Sequence, residues 1–237
     1  MKRHWAKARY SASQLSLDFD AESPACSEAR KRLEEAETLA WVKRRPKAAI
    51  PKCQEAIAQA TEAGCTDVAA QAHWQLGQIH FFAKTPDLSA ALESFSAATR
   101  LAPDWAEAHL WEANTLADLD RPEEAALAYL EAVRRDPADP RIHISLGRCL
   151  AEMGRYDDAI AAYREGIRRK PDYGEISARM MLADALMESG DTTGAITEWK
   201  SVLRQKGTAE DEEEEQALAR TLLAQHRPKI SRTRQTV

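Results

Sequence analysis

Three histidines recur in step along the chain. His73, His109 and His143 each stand four residues before a small residue, namely Gly77, Ala113 and Gly147. Imidazoles repeated at one register could build a metal site, but every ligand must then lie within about 2.1 Å of a single ion. Equivalent positions on packed helices are about 8–10 Å apart. The three imidazoles therefore read as half-buried packing residues. Three basic clusters, Lys43-Arg44-Arg45, Arg134-Arg135 and Arg168-Arg169-Lys170, have the chemistry to hold phosphate. Each falls at an expected helix C-terminus, where cations complement the helix dipole. They lack interleaved aromatics, so direct nucleic-acid binding is disfavoured. "DLDRPEE" lacks the glycine and spacing of a calcium loop. The chain has no G-x-G-x-x-G, Walker loop, G-x-S-x-G or H-E-x-x-H. The expectation is a protein without catalytic residues, cofactor or metal.

The elements that carry these residues are helices. Of 237 residues, 44% are hydrophobic and only 9 are glycine. Ala, Leu, Glu and Arg dominate, all good helix formers. A net charge of −5 demands no polyanionic partner. Cys26, Cys53, Cys65 and Cys149 form no C-x-x-C pair in a chain large enough to fold without staples. They read as reduced structural thiols in a cytoplasmic protein. The basic start, "MKRHWAKARYSAS", has no apolar stretch behind it and is not a secretory signal. No apolar run is long enough to span a membrane.

The chain repeats one phrase. "AALESFSAATRLAPD", "AALAYLEAVRRDPAD" and "AIAAYREGIRRKPDY" begin at Ala90, Ala125 and Ala159. Aligning Ala49, Ala91, Ala125, Ala159 and Ala195 gives spacings of 42, 34, 34 and 36. Four residues on stand Cys53, Phe95, Tyr129, Tyr163 and Trp199; seven on stand Ala56, Ala98, Ala132, Gly166 and Val202. Steps of three, four and seven lie on one helical face. Pro103, Pro137, Pro171 and Gly207 close four of the phrases. A second helical half precedes each phrase, with Gly77, Ala113, Gly147 or Ala183 where two helices must approach closely. Asp87, Asp157 and Asp191 sit near helix starts, and Pro122 suits a first turn.

This pattern resembles the tetratricopeptide repeat, with its L-G, A-x3-F and closing proline. The resemblance implies an all-α, right-handed superhelical solenoid of about five antiparallel helix hairpins and a C-terminal capping helix. Its expected parts are a flexible segment over 1–27, a degenerate hairpin and connector over 28–69 and four repeats over 70–207. A capping helix over 208–226 and a disordered basic tail over 227–237 follow. Pro51, inside the degenerate second helix, predicts a kink or a late helix start. Thr208 and Asp211 suit a capping box, and Ala217, Leu218, Leu222 and Leu223 would cover the last repeat.

The resemblance also implies a job. Family members bind peptides on the concave face, lined by the first helix of each hairpin. The inward positions carried over here include Trp74, Gln78, Phe81, Phe82, Leu110, Asn114, Arg141, Ile144, Arg148 and Asp184. Of the positions that form a Lys/Asn/Arg carboxylate clamp in some members, only Arg141 fits, which disfavours a chaperone-tail receptor. The expected protein is an adaptor or scaffold that binds an extended peptide of another protein, as a monomer or weak oligomer. "SQLSLDFD" stands apart from the repeats. Its Gln14, Leu15, Leu17 and Phe19 resemble the short peptides that bind the bacterial replication sliding clamp. That resemblance implies an alternative, a regulatory module attached to DNA-bound machinery. A non-catalytic subunit of an enzyme complex is the other alternative.

Overall fold

A computed structural model describes residues 23–170, 174–205 and 210–226. The motif residues Gln14 to Phe19, the stops Pro171 and Gly207, Thr208 and the basic tail lie outside the described residues. The chain divides into two compact units, Met1–Asp104 and Trp105–Val237.

The first unit holds α1 (Pro24–Glu37), α2 (Pro46–Glu62), α3 (Thr66–Phe81) and α4 (Leu88–Leu101). Helix α1 starts inside the stretch expected to be flexible, because the Ser23 hydroxyl accepts from the Cys26 amide and Pro24 takes the first helical position. Its end widens into a π turn, Thr38–Val42. There the Lys43 amide bonds back to the Thr38 carbonyl at 2.9 Å and the Arg45 amide to that of Leu39 at 2.8 Å. Arg44 completes the turn in the left-handed region, with φ 54°. Helix α2 begins at Pro46 and so does not start late. Pro51 lies inside it, and its missing N–H leaves the Lys47 carbonyl without its usual donor. Both residues are exposed, so water can take the donor's place. Helices α1, α2 and α3 close over Leu33, Ala36, Cys53, Ala56, Leu76 and Ile79. Because α4 also packs on α3, that helix is buried on several sides.

Cys26 and Cys65 form a disulfide, with Cα atoms 5.8 Å apart. This corrects the expectation of four reduced thiols. The α1–α2 hairpin brings the start of α1 to the start of α3, so two cysteines 39 residues apart become neighbours. Cys53 and Cys149 are free and buried. Cysteine usage therefore no longer argues for a reducing compartment.

The second unit holds α5 (Ala106–Asp118), α6 (Pro122–Arg135), α7 (Pro140–Glu152), α8 (Tyr156–Arg168), α9 (Glu175–Glu188), α10 (Thr192–Val202) and α11 (Glu210–Gln225). Helices α5–α6, α7–α8 and α9–α10 pack as hairpins, and α11 packs on α9 and α10. The described residues are thus helices in consecutive pairs, without a strand. The repeated phrase explains why. All five opening alanines are fully buried, as are Cys53, Phe95 and Tyr129, with Tyr163 and Trp199 almost so. The small-residue slots receive those rings directly. A methyl on Gly77 would lie 2.7 Å from the Phe95 ring, and one on Gly147 2.8 Å from the Tyr163 ring. Turns between paired helices need left-handed backbone, supplied by Gly154 and Gly190, and by Asp120 in the α5–α6 turn.

Helix α11 covers the last hairpin with a different face from the one expected. Gln216 and Ala219 are buried, Leu222 and Leu223 are half-buried, and Ala217 and Leu218 are exposed. The side-chain amide of Gln216 explains the rotation. It donates to the Gln205 carbonyl at 2.8 Å and the Val202 carbonyl at 3.4 Å, satisfying groups at the end of α10. No helix among the described residues is long and apolar enough to cross a membrane.

Candidate functional site

In the first unit, the expected groove residues are largely internal. Trp74, Gln78 and Phe81 are buried on α3, while Phe82, one residue past the helix, is 41% exposed. Phe81 and Phe82 meet edge to face with centroids 5.1 Å apart, and Trp41 meets Phe82 likewise at 6.2 Å. Among the described residues of this unit, the exposed aromatic surface is Trp41 with Phe82. The sequence reading missed Trp41, because a π turn rather than a regular helix sets its direction.

In the second unit, α5, α7 and α9 carry the remaining candidates. Leu110 is buried and belongs to the core. Asn114 is half-buried, and its Oδ1 accepts from the Tyr129 hydroxyl at 2.6 Å. Burial raises the Tyr129 phenol well above its usual pKa, with Arg148 nearby pulling the other way. Tyr163 is raised by the same burial, again opposed by Arg148. Arg148 thus sits by both phenols, half-buried. Ile144 is half-buried against Gly166 of α8. Asp184 is exposed by area, yet neighbouring atoms partly desolvate it and Glu188 lies close, and both raise its pKa.

Arg141 is already engaged. Its guanidinium donates to Glu107 Oε2 at 2.7 Å and, through Nε, to Asp139 Oδ1 at 3.1 Å. Partial burial disfavours its charge, but these two carboxylates outweigh burial and raise its pKa. Trp111 Nε1 also donates to Glu107, at 2.8 Å. One cation between two carboxylates leaves a local excess of negative charge.

The histidines occupy separate settings. His73 is half-buried near Arg100 and Glu93, and His109 Nδ1 lies 3.9 Å from Glu112. His143 donates a ring N–H to the Pro137 carbonyl at 2.9 Å. Among the described residues, no group of three His, Cys, Asp or Glu side chains is placed to hold a metal. Two basic clusters are tied within their own helices. Arg134 and Arg135 pair with Glu131, and Arg168 and Arg169 with Glu165. Hydrogen bonds from Arg168 and Arg169 hold the Glu165 carboxyl down at about 2.

Comparison with known proteins agrees with this architecture. The tetratricopeptide-repeat family model matches residues 38–104, 82–140, 110–174 and 144–211. The chain belongs to the tetratricopeptide-repeat family. A search of curated proteins finds no match. Among solved structures, MamA aligns at 22% identity over 82% of this chain and 94% of its own, with a TM-score of 0.63. YrrB, described as having an unusual peptide-binding site, aligns at 18% identity over 85% and 97%, with a TM-score of 0.65. A thermophilic tetratricopeptide-repeat protein of Thermus thermophilus, TTC0263, aligns at 18% identity over 81% and 99%, with a TM-score of 0.58. At these identities the likeness shows the fold. Tetratricopeptide proteins are generally non-catalytic scaffolds, and the fold suggests a protein–protein interaction adaptor.

Proposed function

We propose that the α5–α7–α9 face of the second unit binds an extended peptide segment of a partner protein. The carrying observation is the bond from Tyr129 to Asn114. It occupies the amide oxygen of Asn114 and fixes the side chain, leaving the two N–H donors of Nδ2 for a ligand. No protein group among the described residues accepts from that nitrogen. Two fixed donors on a half-buried surface suit the carbonyls of an extended main chain. Arg148 supplies positive charge one helix away, and Ile144 supplies apolar area. A peptide with an acid near its middle and apolar neighbours matches this set. YrrB, which shares the fold, is described as having a peptide-binding site, in keeping with this reading.

The test is a displayed peptide library selected on the full chain. Selected peptides should lose affinity about tenfold or more for Asn114→Ala and for Arg148→Ala, as expected for central contacts. Equal binding to wild type and both variants would remove this face as the site.

A further inference from the structure

We propose that the Leu17–Asp20 segment of one copy docks on the Trp41–Phe82 patch of a second copy. This goes beyond the peptide-binding reading and rests on a different unit of the chain.

The patch is apolar and exposed: Trp41 at 43%, Val42 at 76% and Phe82 at 41%. Beside it run Lys43, Arg44 and Arg45, all exposed, with Lys84 two residues beyond Phe82. These four cations make no ion pair among the described residues. The other two basic clusters, by contrast, are paired by Glu131 and Glu165. An aromatic patch rimmed by unpaired cations calls for a ligand that alternates apolar groups with acids.

The chain's own "LDFD" has that pattern. In an extended strand, alternate side chains project to opposite sides. Leu17 and Phe19 would then share one edge, and Asp18 and Asp20 the other. The apolar edge fits Trp41, Val42 and Phe82, and the acids fit the flanking cations. The remaining choice is between the segment's own patch and that of a second copy.

Reach decides it. Trp41 lies 18 residues beyond Ser23, along α1 and the π turn. At the helical rise this is about 27 Å. Phe19 is only four residues from Ser23, and a fully extended chain carries its Cα about 14 Å. A second copy is not limited by that reach. Each chain then has one donor segment and one acceptor patch, a head-to-tail arrangement.

The test uses the full chain in sedimentation velocity across a concentration series at low and high salt. Wild type should associate with rising concentration, and salt should weaken the association. A donor lesion, Leu17→Asp with Phe19→Asp, should weaken self-association about tenfold or more, and so should an acceptor lesion, Trp41→Ala with Arg45→Glu. Mixing the two variants should restore a dimer that grows no further, because each retains the half the other lacks. Circular dichroism checks that both variants stay folded. Association untouched by either lesion, or a mixture that stays monomeric, would overturn the proposal. A photo-cross-linker replacing Trp41 should join two chains through residues 14–20. A cross-link within one chain would assign the patch to its own segment and also overturn it.

Discussion

The hydroxyl of Tyr129, on the buried face of α6, donates to Oδ1 of Asn114 on α5 at 2.6 Å. One residue of the packing repeat therefore orients one residue of the candidate binding face. Tyr129→Phe keeps the ring in the core and removes this bond together with the hydroxyl's hydrogen bond to Arg148. It should cost about 1 kcal/mol of stability, with the Asn114 carbonyl left half-buried and without its donor. Urea unfolding measures this. Peptide affinity should fall in the same variant. Asn114→Ala and the double variant should then show a coupling of about 1 kcal/mol. Additive effects would mean that Tyr129 does not act through Asn114.

The close approach of Gly147 to Tyr163 predicts a sign. Alanine is better than glycine inside a helix by about 1 kcal/mol. Here its methyl would lie 2.8 Å from a ring that is itself 2% exposed. Overpacking of this kind costs about 1–3 kcal/mol. Gly147→Ala should therefore destabilise the protein in denaturant unfolding, and Gly77→Ala against Phe95 should do the same. Tyr163→Leu combined with Gly147→Ala should recover part of the loss. Stabilisation by either single alanine would show that the rings have room to move.

The hairpins were legible because their signals are local. Ala125 and Tyr129 share a helical face whatever surrounds them, and a small residue followed by an aromatic at fixed spacing announces the ring that fills the slot. The Cys26–Cys65 pair was not legible, since nothing in the stretch between two cysteines 39 apart in sequence marks two helix starts as neighbours. The covering face of α11 was misread for a related reason. Leu218 looks like a core residue, but the need of the α10 carbonyls for Gln216 turns it to solvent. Helix α3 shows the same limit for the candidate site. Trp74 and Phe81 sit at inward positions by register, yet packing from several neighbours buries them.

His73 gives stability a dependence on pH. Partial burial lowers its pKa below the ordinary 6.5, and Arg100 nearby adds to the effect, against a smaller opposing pull from Glu93. The folded state thus disfavours the imidazolium, while the unfolded chain accepts it freely. As pH falls below 6.5, the unfolded state binds more protons and stability declines. Above 6.5 this contribution is fully present. His73→Gln should flatten the decline relative to wild type when urea midpoints are compared between neutral and mildly acidic buffer. Identical slopes would assign the acid sensitivity to other groups.

The Cys26–Cys65 disulfide closes a loop between residues 39 apart in sequence. Chain-entropy reasoning gives such a loop about 4 kcal/mol of stabilisation, by restricting the unfolded chain. A reductant should lower the urea midpoint of wild type. Cys26→Ser with Cys65→Ser should start from that lower midpoint and respond no further. The two remaining thiols provide an internal control. Burial pushes Cys53 up to about 12 and raises Cys149 as well, so both should resist alkylation at neutral pH until the chain opens. Mass spectrometry after denaturation should find two alkylated cysteines without reductant and four with it. Four without reductant would mean that Cys26 and Cys65 are not bonded in solution, and the midpoint of wild type should then ignore the reductant.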